Sequence, residues 1–119
     1  MPAYNAATAP VVEQGRPSTV WSAEAVSNGG KSQQVSFHRR ELPGTCSVEV
    51  EFSGDPGAFS IDLQTADTDA DKYYVTKTTL SAVNSSFVGR LEVPQIVAKF
   101  ARLVLVSKAN AVNVTAKFF

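Results

Sequence analysis

One cysteine, one histidine, one methionine and one tryptophan occur in 119 residues, and 11 basic residues are balanced by 11 acidic ones. These scarcities exclude several classes of protein. A lone Cys46 forms no intrachain disulfide, so no disulfide-stapled framework is implied. At the head of an alternating run it reads as a small buried residue. A lone His38, with no Cys or His neighbour at ligand spacing, makes no metal site. Zero net charge removes the basic surplus on which phosphate neutralisation rests, which argues against a nucleic-acid partner. No apolar run approaches the ~20 residues that span a bilayer as a helix. The opening MPAYNAATAP has neither the basic nor the apolar region of a signal peptide, so synthesis and folding in a cytoplasm are expected, with no membrane partner.

Charged residues are few, 18% against 44% hydrophobic. That balance is incompatible with global disorder and predicts a surface partly apolar or covered by a partner. The length fits one domain able to bury a core without metals or disulfides. Residues 1–18 stand apart. Pro2, Pro10 and Pro17 break any ladder or helix there, and alternation is absent. They read as an extended N-terminal arm, with Tyr4, Val11 and Val12 as anchors that could add main-chain bonds to an exposed sheet edge.

Residues 19–119 read as a β domain. Phe100–Val106 (FARLVLV) is apolar on both faces, as in a central strand: Ala101, Leu103 and Leu105 point one way, Phe100, Arg102, Val104 and Val106 the other. Thr19–Val26 is a strand with Trp21, Ala23 and Ala25 on one face. After the turn Asn28-Gly29-Gly30, Gln33–Arg39 resumes with Val35 and Phe37 inward, and the two runs are expected to form a hairpin. Thr45–Ser53 alternates Val48, Val50 and Phe52 with polar residues, and Ala58–Thr65 alternates Phe59, Ile61 and Leu63. The reversal Gly54-Asp55-Pro56-Gly57 between them predicts a second hairpin. Lys72–Leu80 is a strand rich in aromatic and β-branched residues. Phe87–Val93 is another, with Gly89 marking a bulge or a close approach and Pro94 ending it. Residues 94–99 are expected to form a helical turn or crossing loop. Ala111–Phe118 closes the domain with Val112, Val114, Ala116 and Phe118 aligned. Phe119 is either packed in the core or a handle for a neighbour. Eight strands at short, even spacing and no amphipathic helix predict an all-β, antiparallel sandwich or jelly-roll-like fold.

No catalytic constellation is evident, and the chain reads as a non-enzyme. Cys46 with His38, or Asp62 with Asp67, lacks an orienting or oxyanion motif. Asp67, Asp69 and Asp71 alternate like the start of a calcium loop. Lys72 and Thr78 stand where an EF-hand loop requires glycine and glutamate, so a solvated turn is the better reading. Neither a cofactor nor a metal is expected. The candidate partner-binding residues are Tyr4, Val11, Val12, Tyr73, Tyr74 and Phe119.

The succession SVEVEFSG, GAFSIDLQTADTDADKYYVT, EVPQIVAKFARLVLVSK and NAVNVTAKFF resembles small β-sandwich virion proteins of tailed bacteriophages, over about residues 45–119. In those proteins an aromatic–small–Arg–aliphatic strand, here Phe100, Ala101, Arg102, Leu103 and Val104, precedes a short turn and a final valine-alternating strand. The resemblance implies a capsid decoration (cement) protein, which would act on the capsid surface of the virion. Its partners would be the major capsid protein and copies of itself, in a small homo-oligomer such as a trimer. The alternative it implies is a tail, baseplate or fibre module that binds a host-surface glycan, with Tyr73 or Tyr74 and the acidic loop as the site.

Overall fold

The computed structural model describes residues 18–37, 44–96 and 98–119. Within them the chain forms nine strands: β1 (Ser18–Glu24), β2 (Gly30–Lys31), β3 (Val35–Ser36), β4 (Gly44–Phe52), β5 (Phe59–Ala66), β6 (Val75–Leu80), β7 (Val88–Ile96), β8 (Phe100–Lys108) and β9 (Val114–Phe118). They make two antiparallel sheets, one ordered β1-β9-β4-β7 and the other β2-β8-β5-β6, with β3 also on β8. The fold is a β-sandwich. The expected arm, with Tyr4, Val11 and Val12, lies outside the described residues apart from Ser18, which opens β1. His38 lies outside them too.

Period-2 alternation builds the core. Val48 and Val50 of β4 meet Ile61 and Leu63 of β5, Ala101, Leu103 and Leu105 of β8, and Val114, Ala116 and Phe118 of β9, all with no exposed surface. Each large aliphatic side chain so placed contributes roughly 1.5–3 kcal/mol. Cys46 joins this core as a buried residue. β8 is central as its two apolar faces suggest, with β2 and β3 on one flank and β5 on the other. Ser32 bridges the gap between β2 and β3. Its N–H donates to the Leu103 carbonyl (2.8 Å), and its Oγ accepts from the Leu103 N–H (2.9 Å).

The structure corrects both expected hairpins. β4 and β5 lie in different sheets, so the reversal at residues 53–58 is an arch over the end of the sandwich. Phe52 and Phe59 both point inward and meet edge to face across the gap, with ring centroids 4.9 Å apart. β1 likewise pairs with β9, whereas β2 and β3 pair with β8. Gly29, at φ +82°, turns the chain from one sheet to the other. Nor does β1 keep strict alternation. Register shifts on either side of Trp21 bury both Val20 and Trp21, and Ala23 is exposed.

Two boundaries also differ. β7 runs through Pro94 to Ile96, because among the described strands β7 pairs only with β4 and an edge strand tolerates a residue lacking an N–H. β6 starts at Val75, since Asp71–Tyr73 forms a turn of 3-10 helix instead of strand. Gly89 marks a close approach: a Cβ there would sit 2.9 Å from Leu80 Cδ2 and 3.0 Å from the Ala82 carbonyl oxygen. This contact shuts the sandwich between the edge strands β6 and β7.

Candidate functional site

The acidic loop between β5 and β6 does not extend freely into solvent. It folds over the outer face of the β8 sheet and is fastened there by a buried cation. Arg102 points away from the core, yet only 3% of it is exposed. Its Nε donates to Gln64 Oε1 on the neighbouring strand (2.9 Å), and its Nη1 donates to Asp71 Oδ1 (2.6 Å). The Tyr74 ring lies over the guanidinium, 4.1 Å from its centroid, a contact strengthened by the exclusion of water. Asp71 also accepts from Lys31 Nζ of β2 at 2.9 Å. Asp69 accepts from Tyr74 Oη (2.8 Å) and from Gln34 Nε2 (3.0 Å). The Lys31 ammonium and then the Arg102 guanidinium, each hydrogen-bonded to the Asp71 carboxylate, hold its pKa below the ordinary value of 3.8.

The local sequence explains this arrangement. The 3-10 turn at Asp71–Tyr73 brings Asp71 and Tyr74 back over β8, with the Tyr74 N–H closing on the Asp71 carbonyl. Burying a guanidinium is costly unless its donors are satisfied. The loop supplies the carboxylate and ring, and β5 supplies the amide. Arg102 was legible only as an outward residue of a central strand. A charged residue inside such an apolar run is itself a signal that something must cover and pair with it. Gln34, Gln64 and Lys31 carried no comparable signal.

The two candidate tyrosines diverge. Tyr74 is 8% exposed, whereas Tyr73 is 49% exposed, with Lys72 Nζ 5.0 Å from its ring centroid. Val75, the first residue of β6, is 65% exposed. β6 is the outer strand of its sheet and carries Lys77 near its middle, a residue type that discourages indiscriminate edge pairing. Tyr73, on a loop held down from beneath, and Val75, at the start of β6, thus present apolar surface at a sheet edge. Phe119 is half-buried at the far end of β9, where its N–H donates to the Ser47 carbonyl (2.9 Å), and Phe118 takes the core position.

Of the remaining acidic candidates, Asp67 is exposed and Asp62 has structural partners. Asp62 accepts from the hydroxyls of Thr76 (3.3 Å) and Thr79 (2.7 Å) on β6. Among the described residues no group of three or more His, Cys, Asp or Glu side chains is placed to hold a metal ion. No helix among them is long and apolar enough to cross a membrane. No protein-family model and no curated protein matches the chain.

Proposed function

We propose that the chain is a non-enzymatic structural protein of a tailed-bacteriophage virion, a capsid decoration protein that binds the outside of the shell where subunits meet. The observation that carries this reading is the pinned loop. Arg102, under Tyr74 and bonded to Asp71, fixes a platform from which Tyr73 and Val75 project beside the outer strand β6. A surface ordered before contact loses little conformational freedom on docking, which favours tight attachment from a small footprint. The strand succession of residues 45–119, the low charge and the proline-broken arm agree with a part assembled onto a particle. Burial of apolar surface across several shell subunits would add association energy, and several equivalent contacts in a homo-oligomer would add avidity.

The test is co-sedimentation of the full chain with assembled capsid shells, counting copies per shell. Saturation at a ratio set by shell symmetry is expected. Tyr73→Ala with Val75→Ser should lower occupancy while the sandwich stays folded, and removal of residues 1–17 should do the same. A chain that leaves shells bare and travels with isolated tails would replace this reading with the tail, baseplate or fibre alternative. A glycan platform at this loop would then rest on Tyr73, since Tyr74 is covered.

A further inference from the structure

The other sheet carries a second feature, far in the fold from the acidic loop. At one end of its outer face, Ala23, Glu51, Ser53, Ser86, Phe87 and Thr115, with Asn113 beside them, line an open hollow of about 410 Å³. A rung running across the sheet forms its base. Glu51 of β4 stands opposite Thr115 of β9 on one side and Val88 of β7 on the other, and Ala23 of β1 donates its N–H to Thr115 Oγ1 at 3.0 Å.

Both flanks hold a non-glycine residue in left-handed conformation, Ala23 at φ +48° and Phe87 at φ +62°. Side chains disfavour that region, and such residues persist where surrounding structure imposes them. The imposing bonds are present. Asn84 Oδ1 accepts from the N–H groups of Ser86 (2.9 Å) and Val88 (3.0 Å), and the Phe87 carbonyl accepts from the Phe52 N–H (3.0 Å). The walls of the hollow are therefore held in place without any ligand.

Its polar groups are of a particular kind. Thr115 Oγ1 already accepts from Ala23, and Ser53 Oγ accepts from the Asn113 N–H at 2.9 Å. The hydroxyl protons of Thr115 and Ser53 are left to donate outward. Ser86 adds a hydroxyl, and the Asn113 amide adds donors and an acceptor. Among the described residues no cation pairs with Glu51, in contrast to Glu49, which Arg90 holds at 3.2 Å. A carboxylate without a counter-charge repels anions and accepts strongly from neighbouring hydroxyl groups. A hollow of this size, with interleaved donors and acceptors, a lone carboxylate and a half-buried phenyl side chain at one flank, suits a small ligand rich in hydroxyls. We propose that it is a binding site for a neutral saccharide of one or two units, with adjacent hydroxyls on Glu51 and the C–H face of the sugar toward Phe87. The proposal is independent of whether the protein sits on a head or a tail.

The test is a 1H–15N NMR titration of the full chain with glucose, galactose, mannose and N-acetylglucosamine. At least one should give saturable shifts centred on the amides of Ala23, Glu51, Ser53, Phe87 and Thr115. Glu51→Gln should weaken that binding about tenfold, and Asn113→Ala by a smaller factor. Glu92→Gln, the same charge change on the same strand layer outside the hollow, should leave affinity unaltered. Glucuronate should bind about tenfold more weakly than glucose through repulsion by Glu51. The proposal is overturned by the absence of saturable shifts with all four sugars, by shifts centred on Tyr73, by Glu51→Gln binding as tightly as the parent, or by methylamine moving these amides where sugars do not.

Discussion

Two arginines, one on the outer face of each sheet, show how the same residue type comes to do different work. Arg90 of β7 sits in solvent. It meets Glu49 at 3.2 Å and Glu92 at 3.6 Å, with side chains 56%, 41% and 74% exposed. Arg102 of β8 meets Asp71 at 2.6 Å with its own side chain 4% exposed. The difference lies in the connections of the neighbouring strands. A long loop leaves β5 and folds back across β8, so Arg102 is roofed by Tyr74. No described segment covers Arg90. A surface pair of that kind contributes little because water serves each charge nearly as well. A roofed guanidinium has no such alternative, and its partners become part of the fold.

The largest effect should come from loss of the roofed cation. Arg102→Ala removes the packing under Tyr74 and the bonds to Gln64 and Asp71, and should destabilise the domain by about 3 kcal/mol, read from urea unfolding midpoints. It should also loosen residues 67–74, seen as faster amide exchange there than in β4 or β9. Equal protection of that loop in the variant would mean that Arg102 is not what fastens it.

The acid response should sharpen the contrast. The folded pKa of Asp71 lies below its ordinary 3.8, and the unfolded chain returns it to that value. A depressed carboxylate contributes stability that is fully present above the unfolded pKa and is lost as pH falls through the folded one. The urea midpoint should therefore drop as the pH is lowered below about 3.8 toward the folded pKa of Asp71. Lys31→Met removes the leading cause of the depression and should flatten that decline. Arg90→Ala should leave it as it was. A decline equally steep in Lys31→Met would assign the acid sensitivity to another carboxylate.

The strands and their inward faces were visible in the sequence, but not the cover that separates the two arginines. The alternation of Val48, Val50 and Phe52, and of Phe59, Ile61 and Leu63, located β4 and β5 and their inward faces, and the doubly apolar FARLVLV run located the central strand. The partners of those strands were not legible. Gly54-Asp55-Pro56-Gly57 reverses the chain equally well within a sheet or between sheets, and in both cases the flanking phenylalanines point inward. Strand pairing decides for the arch, with β4 bonded to β7 and β9 and β5 to β6 and β8, and the two rings then meet across the gap. The lid over Arg102 was hidden for a related reason. Asp71 is 31 residues away in sequence, and a run of alternating aspartates looks the same whether it is solvated or folded onto a buried cation. Tyr73 and Tyr74 are adjacent and chemically alike, and the 3-10 turn that ends at Tyr73 decides which one is covered.

A smaller effect should come from the roof itself. Tyr74→Phe keeps the ring over Arg102 and deletes the hydrogen bond to Asp69 Oδ1. The loss should be about 1 kcal/mol, with the loop still protected from exchange.

The smallest effect belongs to the uncovered arginine. Arg90→Ala deletes two ion pairs by distance, those with Glu49 and Glu92. Its guanidinium and both carboxylates remain largely in water, so the attraction is weakened by solvent and offset by the side-chain freedom regained on release. The expected change is below about 0.5 kcal/mol, and raising the salt concentration should erase what difference there is. If Arg90→Ala instead costs as much as Arg102→Ala, cover is not what separates the two sheets. The outer face of the β4 layer would then be held by charge as firmly as that of the β8 layer.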